Sequence, residues 1–283
     1  MTKKVLRPIL DDNIPLTKKE RQVLNFINTF NGDFFDFSQQ ELAINSNTSN
    51  ANVSRFVRKY GYKDYREFIA SINRVLSNFS KKYPISWSED DRFNNYKLIA
   101  ASHKYALDNT YNEELLEKIV EAAKLINESS TIYLHGSGAS HRASIDLASN
   151  FLKIGKNVIF ASEFHIFFPS LANIKQNDLI VIFSNNLQTN EAKFILNQAT
   201  KKNIKTIVIT SNNEEESLGD IDVYLRYRKI HDEHILVPLS SKIAQILIGD
   251  LLFEAILEID PKNYEKLNNS KKIIYEWSKI NKN

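Results

Sequence analysis

The sequence predicts an all-α domain followed by an α/β domain with a parallel five-stranded sheet in three α/β/α layers. Three observations carry this. The chain has 283 residues, and at roughly 100–200 residues per domain two domains are expected. From Leu16 to about Ser80 only helical periodicity occurs, with no β-rich run. After Glu128, short Val/Ile/Phe/Tyr-rich runs alternate with helical stretches, the pattern of right-handed βαβ units.

The helical part begins with Leu16-Thr17-Lys18-Lys19-Glu20. Thr17 is placed as N-cap, with Glu20 three residues on completing a capping box. Val23, Leu24, Ile27 and Phe30 follow at helical spacing, and Asn31-Gly32 stops the helix. A second start lies at Ser38 with Glu41 three residues later, and its helix runs to about Asn45; a third starts at Ser49. The polar stretch 81–91, broken by Pro84, reads as a domain junction. Helices are expected over 95–108 and 112–128. Strands are expected at Thr131–Leu134, Asn157–Phe160, Leu179–Phe183, Thr206–Thr210 and Ile221–Tyr227, with helices over 139–154, 189–202 and 240–258 between and after them. The domain limits read as 1–80, a linker with helices over 81–119, an α/β domain over 120–260, and a helical extension over 261–283. In that extension Leu267, Ile273, Ile274 and Trp277 could pack on the α/β domain or across a dimer.

Composition excludes several functions. Cysteine is absent, which removes disulfide frameworks, thiolate zinc sites and Cys nucleophiles. No apolar run approaches the ~20 residues of a membrane span, and the N-terminus lacks an apolar signal core, so a cytoplasmic, soluble protein without membrane association is expected. Residues 1–80 carry a net charge of +4 and the remainder −1. The positive excess therefore lies in the helical third, as expected where an anionic partner docks.

Residues 39–58 fit a helix-turn-helix. Ala43 is small where two helices would cross, and Asn47 sits at a turn needing positive φ, which Asn tolerates better than most residues. Val53, Phe56, Val57 and Tyr60 form one stripe of the third helix. The other face presents Ala51, Arg55 and Arg58, flanked by Asn50, Asn52, Ser54 and Lys59, with no acid from Asn50 to Tyr60. Asn52 and Arg55 can pair bidentately with base edges, and the Ala51 methyl can meet a thymine methyl. Arg58 and Lys59 can neutralise phosphates, and Ser49 can cap the helix and donate to a phosphate. A solvated face of an ordinary bundle is the alternative.

The runs Ser38–Ala43, Ser49–Phe56 and Arg58–Phe68 resemble the winged-type helix-turn-helix of the RpiR family of bacterial transcriptional regulators. The Val-x-Arg-Phe and Gly-aromatic-Lys elements are the specific part. The sequence departs at Asn47, where the family favours Gly, and at Thr48, where it favours an aliphatic residue.

In the second half, His135-Gly136-Ser137-Gly138-Ala139-Ser140 follows a strand and opens a helix, a loop that aims backbone N–H groups at an anion. A dinucleotide fingerprint would need Gly where His141 stands; Ser137 and Ser140 suit a phosphate or sugar better. With Ser184–Glu191 and Ser240–Gln245, this half resembles the SIS (sugar isomerase) domain that RpiR regulators carry. The resemblance implies a sugar-phosphate effector held by a Ser-x-Ser-Gly-x-Thr segment. Ser184 and Thr189 match that segment, while Asn186 replaces the second Ser and Leu187 the Gly. Leu penalises positive φ and would crowd the anion, and only Lys153, Lys156 and Lys175 lie between Arg142 and Lys193, so weak affinity for hexose phosphates, or a ligand less anionic than the family norm, is expected. His165 stands where related regulators carry an Asp-x-His pattern, and Ser240 and Ser241 complete the effector set: Gly136, Ser137, Gly138, Ser140, His165, Ser184, Asn186, Thr189, Ser240 and Ser241.

His231, Asp232, Glu233 and His234 could imitate a metal site, but their spacing is not that of paired ligands, so no metal and no cofactor are expected. Glu233, His165, His231 and His234 are candidate bases for the alternative of an SIS isomerase with an N-terminal appendage; a regulator with a degenerate effector pocket is the third. The expected partners are a double-stranded DNA operator, a sugar phosphate or related small carbohydrate, and a second copy of the chain forming a homodimer, or a tetramer built from it. No catalytic residue is expected.

Overall fold

The computed structural model describes residues 5–6, 9–11, 14–30, 32–83, 93–212, 220–232 and 240–280. Two compact units divide the chain: Met1–Tyr105 with Ile230–Pro238, and Ala106–Lys229 with Leu239–Asn283. The division falls inside a helix rather than in the 81–91 stretch; Pro84–Asp91 of that stretch lie outside the described residues.

The first unit holds α1 (Lys18–Asn28), α2 (Gln39–Asn45), α3 (Asn50–Lys59), α4 (Tyr65–Lys82) and most of α5 (Asn94–Thr110). The expected capping boxes form at Thr17/Glu20 and Ser38/Glu41, each worth about 0.5–2 kcal/mol against Ala at the cap. Ser49 caps α3 by accepting from the Asn52 N–H. The core gathers Val23, Leu24, Ile27, Leu42, Val53, Phe56, Phe68, Ile72 and Leu76 at 2% exposure or less. Edge-to-face contacts of Phe26 with Phe35 and Phe37 extend it. Two asparagines stitch irregular segments to helices. Asn28 brackets Leu10, accepting from its N–H and donating to its carbonyl, and Asn73 does the same for Phe35. A separate cluster joins Phe79, Tyr83, Leu98, Ala101, Tyr105 and Ile230. β1 (Val5–Leu6) pairs antiparallel with β7 (His231–Asp232), a pairing across more than two hundred residues that no local pattern announces.

The second unit contains α6 (Glu113–Glu128), β2 (Ile132–Gly136), α7 (Ala139–Lys153), β3 (Val158–Ile159), α8 (Phe164–Phe167) running into a 3-10 turn (Phe168–Asn173), β4 (Leu179–Phe183), α9 (Asn190–Lys202), β5 (Lys205–Thr210), β6 (Val223–Arg226), α10 (Ser240–Ile259) and α11 (Pro261–Ile280). Five strands form a parallel sheet in the order β3-β2-β4-β5-β6. Side chains alternate between two cores, as strand geometry demands. Leu134, Val181, Phe183, Ile207 and Ile209 face one with α6, α7 and α10 residues; Tyr133, Ile180, Ile182 and Val208 face the other with α9 residues. The sheet is thus covered on both sides, which is why its strands read as unbroken apolar runs. On α11, Leu267 packs against the first core, whereas Ile273, Ile274 and Trp277 are exposed, contrary to the packing on this domain considered for them.

Candidate functional site

In the helical unit, the turn between α2 and α3 is the geometry that a helix-turn-helix requires. Asn47 takes φ 56°, and its N–H donates to the Ile44 carbonyl at 3.0 Å. Val53, Phe56 and Val57 bury one side of α3, with Tyr60 half-buried. On the other side Ser49, Asn50, Ala51, Arg55, Arg58 and Lys59 are exposed, and Asn52 and Ser54 half-buried.

The face is more cross-linked than its sequence suggests. Arg55 donates to Asn52 Oδ1, and Asn52 Nδ2 donates to Thr48 Oγ1 at 2.8 Å. Gln39 on α2 donates to Ser54 Oγ at 2.9 Å and to the Asn50 carbonyl at 3.1 Å, so Ser54 ties the two helices together. Lys59, expected to neutralise a phosphate, has a partner within the chain: its Nζ lies 3.0 Å from Glu20 Oε2. Burial works to raise the Glu20 carboxyl, but the hydrogen bonds from the Thr17 N–H and from Lys59 hold it below its usual range. The capping acid of α1 thus claims the last lysine of α3, a pairing across 39 residues that periodicity does not reveal. Lys19 also went unnoticed; its Nζ donates to the Asn47 carbonyl at 3.0 Å and sets a positive charge on the turn.

In the α/β unit, the strand order reverses between β2 and β4, and ligands of open parallel sheets bind beyond the strand C-termini at such a switch point. The register pairs Gly136 with Phe183, Phe183 with Ile209 and Thr210 with Arg226. The segments beginning at Ser137, Ser184, Ser211 and Tyr227 therefore leave neighbouring strands side by side.

Gly136 has no room for a side chain: a Cβ would lie 2.8 Å from the Ser140 carbonyl oxygen. Gly138, at φ 59°, starts α7. Ser137 is exposed, with its Oγ 3.2 Å from His135 Nε2. Desolvation pushes the His135 imidazole pKa down to about 4, so it is neutral at physiological pH. Ser140 is buried and accepts from Gln245 Nε2 at 3.0 Å. Ser240 and Ser241, at the start of α10, are 2% and 4% exposed; Ser241 stands one turn before Gln245. His165 on α8 is exposed and touches Phe164 and Phe168 edge-on.

The loop after β4 departs from expectation. Leu187 adopts φ 58° although it is not glycine, and its side chain is fully buried in the core shared with α9. It does not crowd the open side of the loop. Its N–H donates to Ser184 Oγ at 3.1 Å, leaving the Ser184 hydroxyl proton for another acceptor. Thr189 caps α9, accepting from the Ala192 N–H; Asn186 is exposed, and its Oδ1 accepts from the Gln188 N–H. Nor is the site poor in positive charge. Lys229, after β6, donates to Asn185 Oδ1 at 2.7 Å, and Tyr227 donates to the same oxygen at 3.0 Å. Gln245 donates to Tyr227 Oη at 3.0 Å as well as to Ser140. Ser140, Gln245, Tyr227, Asn185 and Lys229 form one chain of hydrogen bonds around the edge of the sheet.

Of the supposed metal cluster, Glu233 and His234 lie outside the described residues. Among the described residues no group of three or more His, Asp or Glu could hold a metal, and no helix is long and apolar enough to cross a membrane.

Residues 124–255 match the SIS domain family. An HTH-type transcriptional regulator of Thermotoga maritima is 25% identical over 231 residues, covering 81% of this chain and 82% of its own. The HTH-type transcriptional regulator HexR of Escherichia coli is 22% identical over 238 residues, covering 84% and 82%. Among solved structures, the Vibrio vulnificus NanR protein complexed with ManNAc-6P superposes with a TM-score of 0.57 at 25% identity, over 92% of this chain and 94% of that one. The sugar isomerase domain of an RpiR transcription factor from Sphaerobacter thermophilus gives 0.50 at 18% identity over 62% and 96%, a likeness of fold. The SIS match lies within the second unit, while the likeness to HTH-type transcriptional regulators and to NanR spans more than four fifths of the chain. The chain carries a SIS domain behind a helix-turn-helix, and regulators of that RpiR-type arrangement are its relatives.

Proposed function

We propose that the chain binds an operator through α3 and releases or tightens it according to a sugar phosphate held at the C-terminal edge of the sheet. The observation that carries the first half is the acid-free outer face of α3, on which Arg55 is exposed and hydrogen-bonded to Asn52. Ser49, Asn50, Ala51, Asn52, Arg55 and Arg58 are the operator-facing set. Ser54 supports α2, and Lys59 is held by Glu20. For the second half, the support is the hydroxyl donors Ser137, Ser184 and Thr189 beside the switch point, together with NanR, a relative captured with ManNAc-6P. Ser140, Ser240 and Ser241 act from beneath, and Gly136 and Gly138 allow the turn; Asn186 adds an amide, and His165 flanks the site on α8.

We read the site as a sensor rather than a catalyst. His135 is buried and neutral, and it has no carboxylate partner among the bonds described for it. One helix-turn-helix buries too little surface for useful specificity, so a homodimer reading two half-sites follows. The chain would work in the cytoplasm. The domain limits we propose are the SIS span 124–255 and a helical domain that reaches into α5.

Gel shifts on the chain's own upstream region test the reading. Arg55→Ala should lose about 1–3 kcal/mol of discrimination for the operator. Arg58→Ala should weaken specific and unspecific DNA alike and flatten the salt slope by about one. Retained operator affinity in Arg55→Ala would move the recognition surface elsewhere.

A further inference from the structure

Lys229 is a largely buried cation whose hydrogen bond goes to a neutral group. Among the described residues it makes no ion pair, and its one hydrogen bond goes to a neutral amide, Asn185 Oδ1. It is largely desolvated, and that burial alone pushes its pKa down to about 8. A cation placed in low dielectric without an anion is costly, and the surroundings do not relieve it. Asn185 Oδ1 already accepts from Tyr227 at 3.0 Å and from Ser211 Oγ at 3.2 Å. The Asn185 carbonyl is held by the N–H of Ser211, 3.1 Å away, and by its Oγ, 2.7 Å away. The amide is thus a fixed rest for the ammonium, which spends one of its three N–H bonds there.

That rest adjoins Ser184, whose hydroxyl proton is uncommitted, and Asn186, which is exposed. The Leu187 N–H is itself committed to Ser184 Oγ, so that amide is not open to an anion.

We infer that Lys229 is the counter-charge for the effector's phosphate. The inference rests on the sensing role proposed for this unit and names the residue that pays for the ligand's charge. On binding, the ammonium keeps or leaves Asn185 and donates to phosphate oxygens, while Ser184 and Thr189 add their hydroxyls; no covalent step is involved. Free inorganic phosphate and a sugar-borne phosphate share this chemistry.

The test uses the full-length protein with Lys229→Met and Lys229→Arg. Calorimetry with glucose 6-phosphate and N-acetylmannosamine 6-phosphate, each against its unphosphorylated parent, is combined with thermal shifts in inorganic phosphate and in gluconate. Lys229→Met should bind the phosphorylated sugars about 10- to 100-fold more weakly, Lys229→Arg should recover most of that loss, and weak binding of the parent sugars should not change. Inorganic phosphate should raise the melting temperature of the parent protein and not of Lys229→Met. Without ligand, Lys229→Met should melt no lower than the parent, because a desolvated charge has gone; a merely structural lysine would leave the variant less stable and weaken charged and uncharged sugars equally. Phosphorylated sugars binding Lys229→Met as tightly as the parent would overturn the inference and leave sugar sensing standing. No binding of any sugar phosphate, with inorganic phosphate still acting through Lys229, would overturn sugar-phosphate sensing and leave the inference standing. No response of the parent to any phosphate, or a Lys229-dependent response to gluconate alone, overturns it.

Discussion

Asn47 and Leu187 hold nearly the same left-handed backbone, φ 56° and 58°, and they reach it by opposite means. Asn47 sits exposed on the turn of the helix-turn-helix, where its residue type tolerates the conformation and Lys19 ties down its carbonyl. Leu187 belongs to a type that resists it, at a cost of about 1–2 kcal/mol. Full burial of its side chain is worth about 1.5–3 kcal/mol and offsets that cost. The comparison teaches that a glycine lost from a turn is no proof of a lost turn. Residue type forecasts the strain at a position, and the packing available there decides whether the strain is borne.

The largest expected effect is Leu187→Ala, which keeps the Cβ that objects to positive φ and discards the burial. It should lower stability by about 2–5 kcal/mol in denaturant titration. Leu187→Gly loses the same contacts but relieves the backbone, so it should be milder than Ala by about 1 kcal/mol, reversing the usual order of the two residues. An Ala variant as stable as the Gly variant would show that Leu187 bears no strain. Glu20→Gln comes next. It weakens the capping box and the Lys59 pair together, for about 1 kcal/mol, and it should release Lys59 toward DNA and steepen the salt dependence of binding. The Glu20 contribution should also fade as pH falls through its depressed pKa, since the carboxylate that stabilises the fold is protonated there. Asn47→Gly should be the smallest, within a few tenths of a kcal/mol, because both residues accept the conformation.

Legibility in the sequence followed the range of the interactions. The caps at Thr17, Ser38 and Ser49, the stripe of Val53, Phe56 and Val57, and the five parallel strands are set by neighbours within a turn or by one short unbroken apolar run, so residue order displays them. The helices over 139–154, 189–202 and 240–258 matched for the same reason. Lys59 with Glu20, Lys229 with Asn185 and β1 with β7 are joined across 39, 44 and more than two hundred residues, and no periodicity carries such pairings. The effector loop was found through resemblance, and its substitution was misjudged because the sequence names Leu187 without naming the core that takes it. Nothing local in the sequence brings Lys229 to Asn185, so this cation at the loop is not visible in residue order.

The helical unit is not one stretch of chain. It runs into α5 as far as Tyr105 and resumes at Ile230, contributing β7 to β1 and a side chain to the cluster around Tyr83 and Tyr105. Cutting after the helix-turn-helix would therefore yield a fragment with an orphaned strand and an opened aromatic pocket. Exchanging sensory halves between such regulators at a single splice point would break both. A working chimera needs three junctions, at 105/106, 229/230 and 238/239.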